Sequence, residues 1–387
     1  MLPFASWSHP VPRITEAERL DRLQRLRAAM EAEGVAGLLL GATESLRYFT
    51  GFVWHASERF CGALVTRDRL VYLVPGFEVS RFETLPHLPG DCAPWQEDEE
   101  PAALVADLLG PSGTLALDEQ IPLFVYHRLA GAMGTDRLRD GGPLVSALRI
   151  RKSAAEIELI RHAMGITLEV QARAFDAMRP GVRASEIVAL IDAEHRRMGA
   201  DGGSTFAIVS FGAATALPHG AEGDQVLSAG DLILVDTGCR LDGYHSDLTR
   251  TYMIDDPEPE IARIWAIERE AQEAVFAAAR PGVACSALDE AARRVLAAHG
   301  LGPDYHLPGL PHRAGHGLGL EIHEAPYIVR GNGRVLEPGM CFSIEPMIVL
   351  PGRFGIRLED HAHVTDSGAD WFTQPQDSLT DLGVTRG

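Results

Sequence analysis

Hydrophobic positions along this chain fall into two textures that divide near residue 150. Before that point, short apolar runs alternate with helix-like stretches. Residues 16–33 place Leu20, Leu23, Leu26 and Met30 at helical spacing among many charges, predicting an amphipathic helix ended by Gly34. VAGLLLG follows as a buried strand, and GALVTRD, LVYLVPG and GTLALDE continue the alternation, so residues 1–150 read as an α/β domain. No glycine-rich loop stands there between a strand and a helix, so no nucleotide site is expected.

Residues 151–387 read differently. A long amphipathic helix spans about Ser153 to Met178 and is followed by RPGV at Arg179–Val182 and a second helix, ASEIVALIDAEHRRMG. The same phrase returns with a helix around Ile261–Ala279, RPGV at Arg280–Val283 and the helix SALDEAARRVLAAHG. The echo extends to VLSAGDLILVD (Val226–Asp236) and VLEPGMCFSIE (Val335–Glu345), with both glycines and both terminal carboxylates in register. Each copy leads into a strand-like return, GYHSDLTRTYMID and GIRLEDHAHVTD. Agreement of two matches in order and spacing indicates duplication. The expected result is an α+β domain of two helix–helix–hairpin halves, packed as a pseudo-twofold sheet with helices on one side.

Composition narrows the function classes. Acidic residues number 54 against 35 basic ones, a formal charge of -19, and no basic stripe is visible. Nucleic acid and anionic membrane are therefore excluded as expected partners. No apolar run reaches the length of a transmembrane helix. The first residues, MLPFASWSHPVPRIT, lack the charged and apolar regions of a signal peptide. Five cysteines without a C-x-x-C pair indicate neither a disulfide framework nor a zinc knuckle, and a reducing cytoplasm is the expected location.

The duplicated hairpins carry the chemistry. Asp236 in ILVDTG, Asp247 in YHSDLTR, His316 in AGHGLGLEIH, Glu345 in FSIEPM and Glu359 in GIRLEDH sit in strands or tight turns. Singly each has an ordinary reading, such as a turn-forming Asp236 before Thr-Gly or an Asp247 paired with Arg250. Together, four hard carboxylates and one imidazole suit a pair of divalent cations, because buried carboxylates are costly without a compensating charge. The repeat equates Asp236 with Glu345, and Asp247 approximately with Glu359. A second group, His219 in ALPHG, His312 in LPHRAG and His323 in LEIHEAP, lacks zinc-finger or H-E-x-x-H spacing and reads as proton carriers or oxyanion donors. By strand alternation His245, His361 and His363 are expected to face away from the carboxylates or remain ambiguous, and they are left outside the site.

These segments resemble the pita-bread metallopeptidases: methionine aminopeptidase, aminopeptidase P and prolidase. The five ligand positions occur in family order, Asp, Asp, His, Glu, Glu, and the first 150 or so residues resemble the creatinase-type N-terminal domain of the proline-specific branch. The resemblance implies two divalent metal ions per subunit, manganese foremost, with zinc or cobalt also fitting. It makes Asp236 a ligand of one ion, Asp247 and Glu359 bridging ligands, and His316 and Glu345 ligands of the second. His219 is implied to contact substrate near the scissile bond and His323 to stabilise the tetrahedral intermediate. His312 is implied to line a proline pocket, Arg357 to lie near the substrate, and Glu345 to shuttle a proton. The implied reaction is hydrolysis of the Xaa–Pro bond in dipeptides by hydroxide activated between two ions. The alternatives are an Xaa–Pro aminopeptidase acting on longer peptides and, more remotely, a non-catalytic peptide-binding module. Small peptides with proline at the second position are the implied partners, with a second copy of the chain in a homodimer. Arg47, Trp54 and Arg59 are candidates for limiting substrate length.

Overall fold

In the computed structural model, residues 11–218 and 220–382 are described. The chain divides into two compact units, Ile14–Arg149 and a second made of Ile150 onward together with the described residues before Ile14.

The N-terminal unit is a six-stranded mixed sheet with helices. Its elements run α1 (Glu16–Ala32), β1 (Gly37–Leu40), α2 (Glu44–Thr50), β2 (Gly62–Thr66), β3 (Leu70–Pro75), α3 (Val79–Thr84), β4 (Asp91–Trp95), α4 (Pro101–Leu109), β5 (Leu115–Leu117), α5 (Leu123–Met133), β6 (Leu138–Asp140) and α6 (Gly142–Arg149). The strand order is β4-β3-β2-β1-β5-β6. β1 is buried at all four positions, as its unbroken apolar run requires. One expectation needs correcting. Leu23, Leu26 and Met30 of α1 are buried, but Leu20 is half exposed and Arg22 takes an inward position. The cation is tolerated there because its guanidinium donates to the Tyr48 carbonyl at 3.0 Å and to Glu18 at 2.5 Å.

The second unit is built twice. Its first half comprises α7 (Ala154–Ala177), α8 (Ala184–Arg197), β7 (Ser204–Phe211), β8 (Ile233–Leu241), β9 (Tyr244–His245) and β10 (Leu248–Tyr252). Its second half comprises α9 (Pro259–Ala278), α10 (Cys285–Ala298), β11 (Gly315–Gly317), β12 (Glu324–Ile328), β13 (Cys341–Ile344), β14 (Met347–Leu350), β15 (Phe354–Arg357), β16 (Asp360–Val364) and β17 (Ala369–Trp371). α7 starts on a capping box in which Ser153 and Glu156 satisfy each other's backbone N–H groups.

The two RPGV turns do the same work. Gly181 N–H donates to the Leu227 carbonyl and Leu227 N–H returns to Val182; Gly282, Leu336 and Val283 repeat the clasp. Gly181 and Gly282 have φ of 94° and 83°, a region that strains any residue with a Cβ, so both copies retain glycine. Each half has its own core. Ile166, Val170 and Ala174 of α7 pack with Ile187 and Ile191 of α8 and Ile233 and Val235 of β8. Ile264, Ala271 and Val275 of α9 pack with Leu288 and Ala292 of α10 and with Phe342, Ile344 and Ile356.

The strands do not form one continuous sheet, contrary to the simplest reading of the repeat. β7, β8 and β10 pair in the order β10-β8-β7, with β9 on β8; β11, β12, β13, β16 and β17 form a five-stranded sheet; β14 and β15 form a ribbon. Pro346 explains the division of the second hairpin, because it offers no N–H and follows the last residue before the break. β13 therefore ends at Ile344 and β14 begins at Met347, leaving Glu345 at the break. Glu359 occupies the matching break between β15 and β16. A bridge between Thr249 and Glu359 joins the two halves at this point.

Candidate metal centre

Carboxylates converge where the two hairpins meet. Asp236 lies within β8, Asp247 between β9 and β10, and Glu345 and Glu359 at the two breaks of the second hairpin. Asp236, Asp247 and Glu359 are buried, as is His316 of β11. His316 Nε2 lies 3.1 Å from Glu345 Oε1, 3.8 Å from Asp247 Oδ2 and 3.9 Å from Glu359 Oε1. Its Nδ1 faces the Gly317 carbonyl at 3.0 Å, which accepts only a proton donor. Nε2 is thereby the nitrogen that faces the carboxylates, where it donates to Glu345 while protonated and offers a lone pair to a cation once it is not.

Asp247, His316 and Glu359 form a tight group with a residue outside the expected set. Ligand atoms of Asp247, His316, Glu359 and His361 all lie within 4.8 Å of one another. His361 pairs opposite Ser343 across β13 and β16 and lies two residues after Glu359, at the start of β16. His361, expected to face away or left ambiguous and so kept outside the site, therefore belongs beside it. The i, i+2 relation to Glu359 was the signal that would have placed it.

Asp236 is held from another side. Arg357 donates Nη2–H to Asp236 Oδ2 and Nε–H to the Thr249 hydroxyl at 3.1 Å. The Thr249 hydroxyl in turn donates to Glu359 Oε2 at 2.7 Å. Arg357 is buried and directed at these groups, where the resemblance placed it among substrate contacts. Arg250, the candidate structural partner of Asp247, instead pairs with Asp360 at 2.7 Å and donates to the Glu359 carbonyl at 2.9 Å.

Electrostatics separate the members. Burial, followed by the neighbouring carboxylates, raises Asp247 and Glu359 well above their ordinary values. Burial also raises Asp236, although the Arg357 charge works against it. Glu345 is the exception: burial pushes it upward, but His316, His312 and Arg357 together hold it below its ordinary value. Asp236 Oδ1, Asp247 Oδ1 and Glu359 Oε1 are buried and have no hydrogen-bond partner. Such oxygens are costly in a protein interior unless a cation faces them. Hard oxygen donors with an adjacent imidazole lone pair fit divalent cations.

The remaining expected residues are placed as follows. His323 is solvent-exposed on one side, and its ring meets His316 edge-on with centroids 4.1 Å apart. Burial of its inner edge, then the His316 and Arg313 charges, lowers its pKa. His312 is half-buried, with its pKa lowered by burial and its ring close enough to Glu345 to feel that charge. Arg293 of α10, paired with Asp289 at 2.7 Å, anchors this loop by donating to the His312 carbonyl at 2.6 Å. His219 lies outside the described residues. Arg47 pairs with Glu44 at 3.5 Å, Arg59 with Glu97 at 2.8 Å, and Trp54 lies 4.8 Å from the Arg81 guanidinium, all within the N-terminal unit.

A pair of glutamines went unread in the sequence. Gln171 of α7 donates Nε2–H to the carbonyls of Val235 and Leu248 at 3.0 and 2.9 Å. Gln272 of α9 donates to the carbonyls of Ile344 and Leu358 at 3.3 and 3.2 Å and to Asp360 at 3.0 Å. Each glutamine stands eight residues before the arginine of its RPGV turn. Each ties the two strands of its hairpin beside the carboxylates, fixing their separation.

Duplicated halves closing on a buried carboxylate–imidazole cage are the architecture of a metallopeptidase. Residues 158–366 match the model of metallopeptidase family M24, and residues 22–151 match the creatinase/prolidase N-terminal domain. The chain belongs to metallopeptidase family M24 and has the pita-bread fold with a creatinase-type N-terminal domain. It is 38% identical to a probable dipeptidase PepE of Mycobacterium tuberculosis over 369 residues, covering 92% of this chain and 94% of that relative. An Xaa-Pro dipeptidase of Lactobacillus helveticus is 33% identical, with 87% of this chain and 92% of the relative covered. The crystal structure of dipeptidase PepE from Mycobacterium ulcerans superposes with a TM-score of 0.87 at 34% identity, covering 94% of this chain and 97% of that one. Among the described residues, no helix is long and apolar enough to cross a membrane.

Proposed function

We propose that this metallopeptidase is an Xaa–Pro dipeptidase, cleaving the bond between an amino-terminal residue and a carboxy-terminal proline. The observation that carries the reading is the cage of buried Asp236, Asp247, His316 and Glu359 with the partly buried Glu345, in which three carboxylate oxygens are unpartnered. Similarity to an Xaa-Pro dipeptidase along most of both chains supplies the substrate class. In this reading the five residues hold two divalent ions, manganese foremost, with zinc and cobalt also compatible with the donors. When bound, such ions supply Lewis acidity and lower the pKa of a coordinated water.

The chain's own residues do the rest. Glu345 is the carboxylate that takes a proton from the attacking water and returns it to the proline nitrogen. His323, kept neutral by its lowered pKa, donates N–H to the developing oxyanion from the solvent side of His316. His312 lines the proline pocket, and His219 contacts the substrate near the scissile bond. Arg357 acts through Asp236, balancing its charge and fixing its orientation. Residues 151–387 form the catalytic domain, and residues 1–150 form the creatinase-type N-terminal domain. The working protein is a cytoplasmic homodimer.

Metal-reconstituted protein offered Xaa-Pro and Xaa-Pro-Yaa side by side tests the reading. Release of proline from the dipeptide alone is expected. Efficient cleavage of the tripeptide would make the protein an Xaa–Pro aminopeptidase instead. Inertness toward both, with metal bound, would leave a peptide-binding module.

A further inference from the structure

His361 has no role in the reading above, yet it is fully buried and neither ring nitrogen makes a well-formed hydrogen bond, its one near acceptor being the Asp247 carbonyl. An imidazole so placed in a protein interior forgoes interactions water would give it. Its position is specific. The ring lies 5.9 Å from that of His316, and one of its nitrogens falls within 4.8 Å of ligand atoms on Asp247, His316 and Glu359. Two donors on a common ion at about 2.1 Å each are separated by at most about 4.2 Å. The upper spacing of the group exceeds that by only about 0.6 Å. The cross-strand neighbour of His361, Ser343, is already committed: it accepts from His316 N–H at 2.8 Å and donates to Glu345 at 3.1 Å.

We propose that His361 is a sixth donor of the cage, giving the ion shared by Asp247, His316 and Glu359 a second imidazole. The inference rests on the metallopeptidase reading and sharpens its metal preference. Adding nitrogen to a site of hard oxygens favours zinc and cobalt over manganese more than the other five residues alone do. The repeat supports a role particular to one half. Thr249, two residues after Asp247, stands where His361 stands relative to Glu359, and it is occupied by hydrogen bonds to Glu359 and Arg357.

The test uses the full chain stripped of metal and then loaded with Co²⁺ or Zn²⁺. Proton NMR of the Co²⁺ form counts coordinated imidazoles through their strongly shifted N–H signals, and chelator competition gives Zn²⁺ and Mn²⁺ affinities. His361→Asn and His361→Gln are compared with the wild type, with melting of the stripped proteins confirming that each variant folds. The expected result is loss of one shifted N–H signal in both variants. Zn²⁺ affinity should fall at least about tenfold, with a smaller change for Mn²⁺. Folded variants that keep every shifted signal and bind Zn²⁺ within about twofold of the wild type would overturn the proposal while leaving the five-residue cage intact. Failure of the wild type itself to bind divalent ions stoichiometrically would overturn the cage, and this proposal with it.

Discussion

Replacing Asp247 by Asn should move the stability of this protein in opposite directions with and without metal. Asp247 is buried, one of its oxygens has no partner, and a second carboxylate, Glu359, has a ligand atom within 4.8 Å of it. At that separation and an effective dielectric constant of about 20, two unit charges repel by about 3.5 kcal/mol. Asparagine removes that repulsion in nearly the same volume, so the stripped variant should be more stable by up to about 3 kcal/mol. That corresponds to roughly 6–12 °C in Tm for a unit of this size. With metal the sign reverses. An ion at a hundred times its Kd stabilises the wild type by about 2.7 kcal/mol, and the variant should lose most of that gain together with hydrolysis. Scanning calorimetry of wild type and variant, each stripped and metal-saturated in the same alkaline buffer, gives all four values. A stripped variant that melts below the stripped wild type would refute the reasoning, because Asp247 would then be a structural group. So would a metal-induced shift unchanged by the mutation.

Three further outcomes follow from the same geometry. Stripped protein should lose stability as pH rises above about 6.5: Asp247 and Glu359 have raised folded values, so the native state retains protons that the unfolded chain has released, and the loss reaches about 1.4 kcal/mol per pH unit per proton. Below that pH the buried His361, whose value is pushed down, works against the trend, so urea titrations belong on the alkaline side; stability that is flat or rising there contradicts the assignment. His323→Ala should bind metal normally and lose about a hundredfold in kcat, and a kcat within about twofold of wild type would remove the oxyanion role. Gln171→Met and Gln272→Met should each cost about 1–3 kcal/mol through their two lost carbonyl hydrogen bonds, read by urea denaturation, and also weaken metal binding. Unchanged metal affinity in folded variants would reduce the glutamines to ordinary core residues.

Much of this was legible because repetition is a one-dimensional property. The matching of Val226–Asp236 with Val335–Glu345 reflects local turn and strand chemistry, and the structure repeats it down to the clasp between each RPGV turn and its leucine. What stayed hidden depends on partners distant in sequence. A glutamine inside a helix reads as a surface polar residue until the carbonyls it caps are known, as with Gln171 and Gln272. Arg250 seemed to belong to nearby Asp247, yet its partner is Asp360, brought by the other half. Arg22 took an inward place on α1 ahead of Leu20 because Tyr48 and Glu18 satisfy it, and no period in the chain announces such a pairing. His361 is different, since its parity with Glu359 was already visible.

The histidines also bear on how a substrate lies. A cage made only of duplicated carboxylates would present nearly the same face to either end of a bound peptide. His312, His316, His323 and His361 all come from the second half, while Arg357, also from that half, reaches across to Asp236 of the first. The duplicated frame is thereby made unlike on its two sides, with imidazoles gathered around His316 on one and the Asp236–Arg357 pair on the other. A dipeptide also has two unlike ends, so a frame whose halves differ in this way presents it with two distinguishable orientations where an exact repeat would present one.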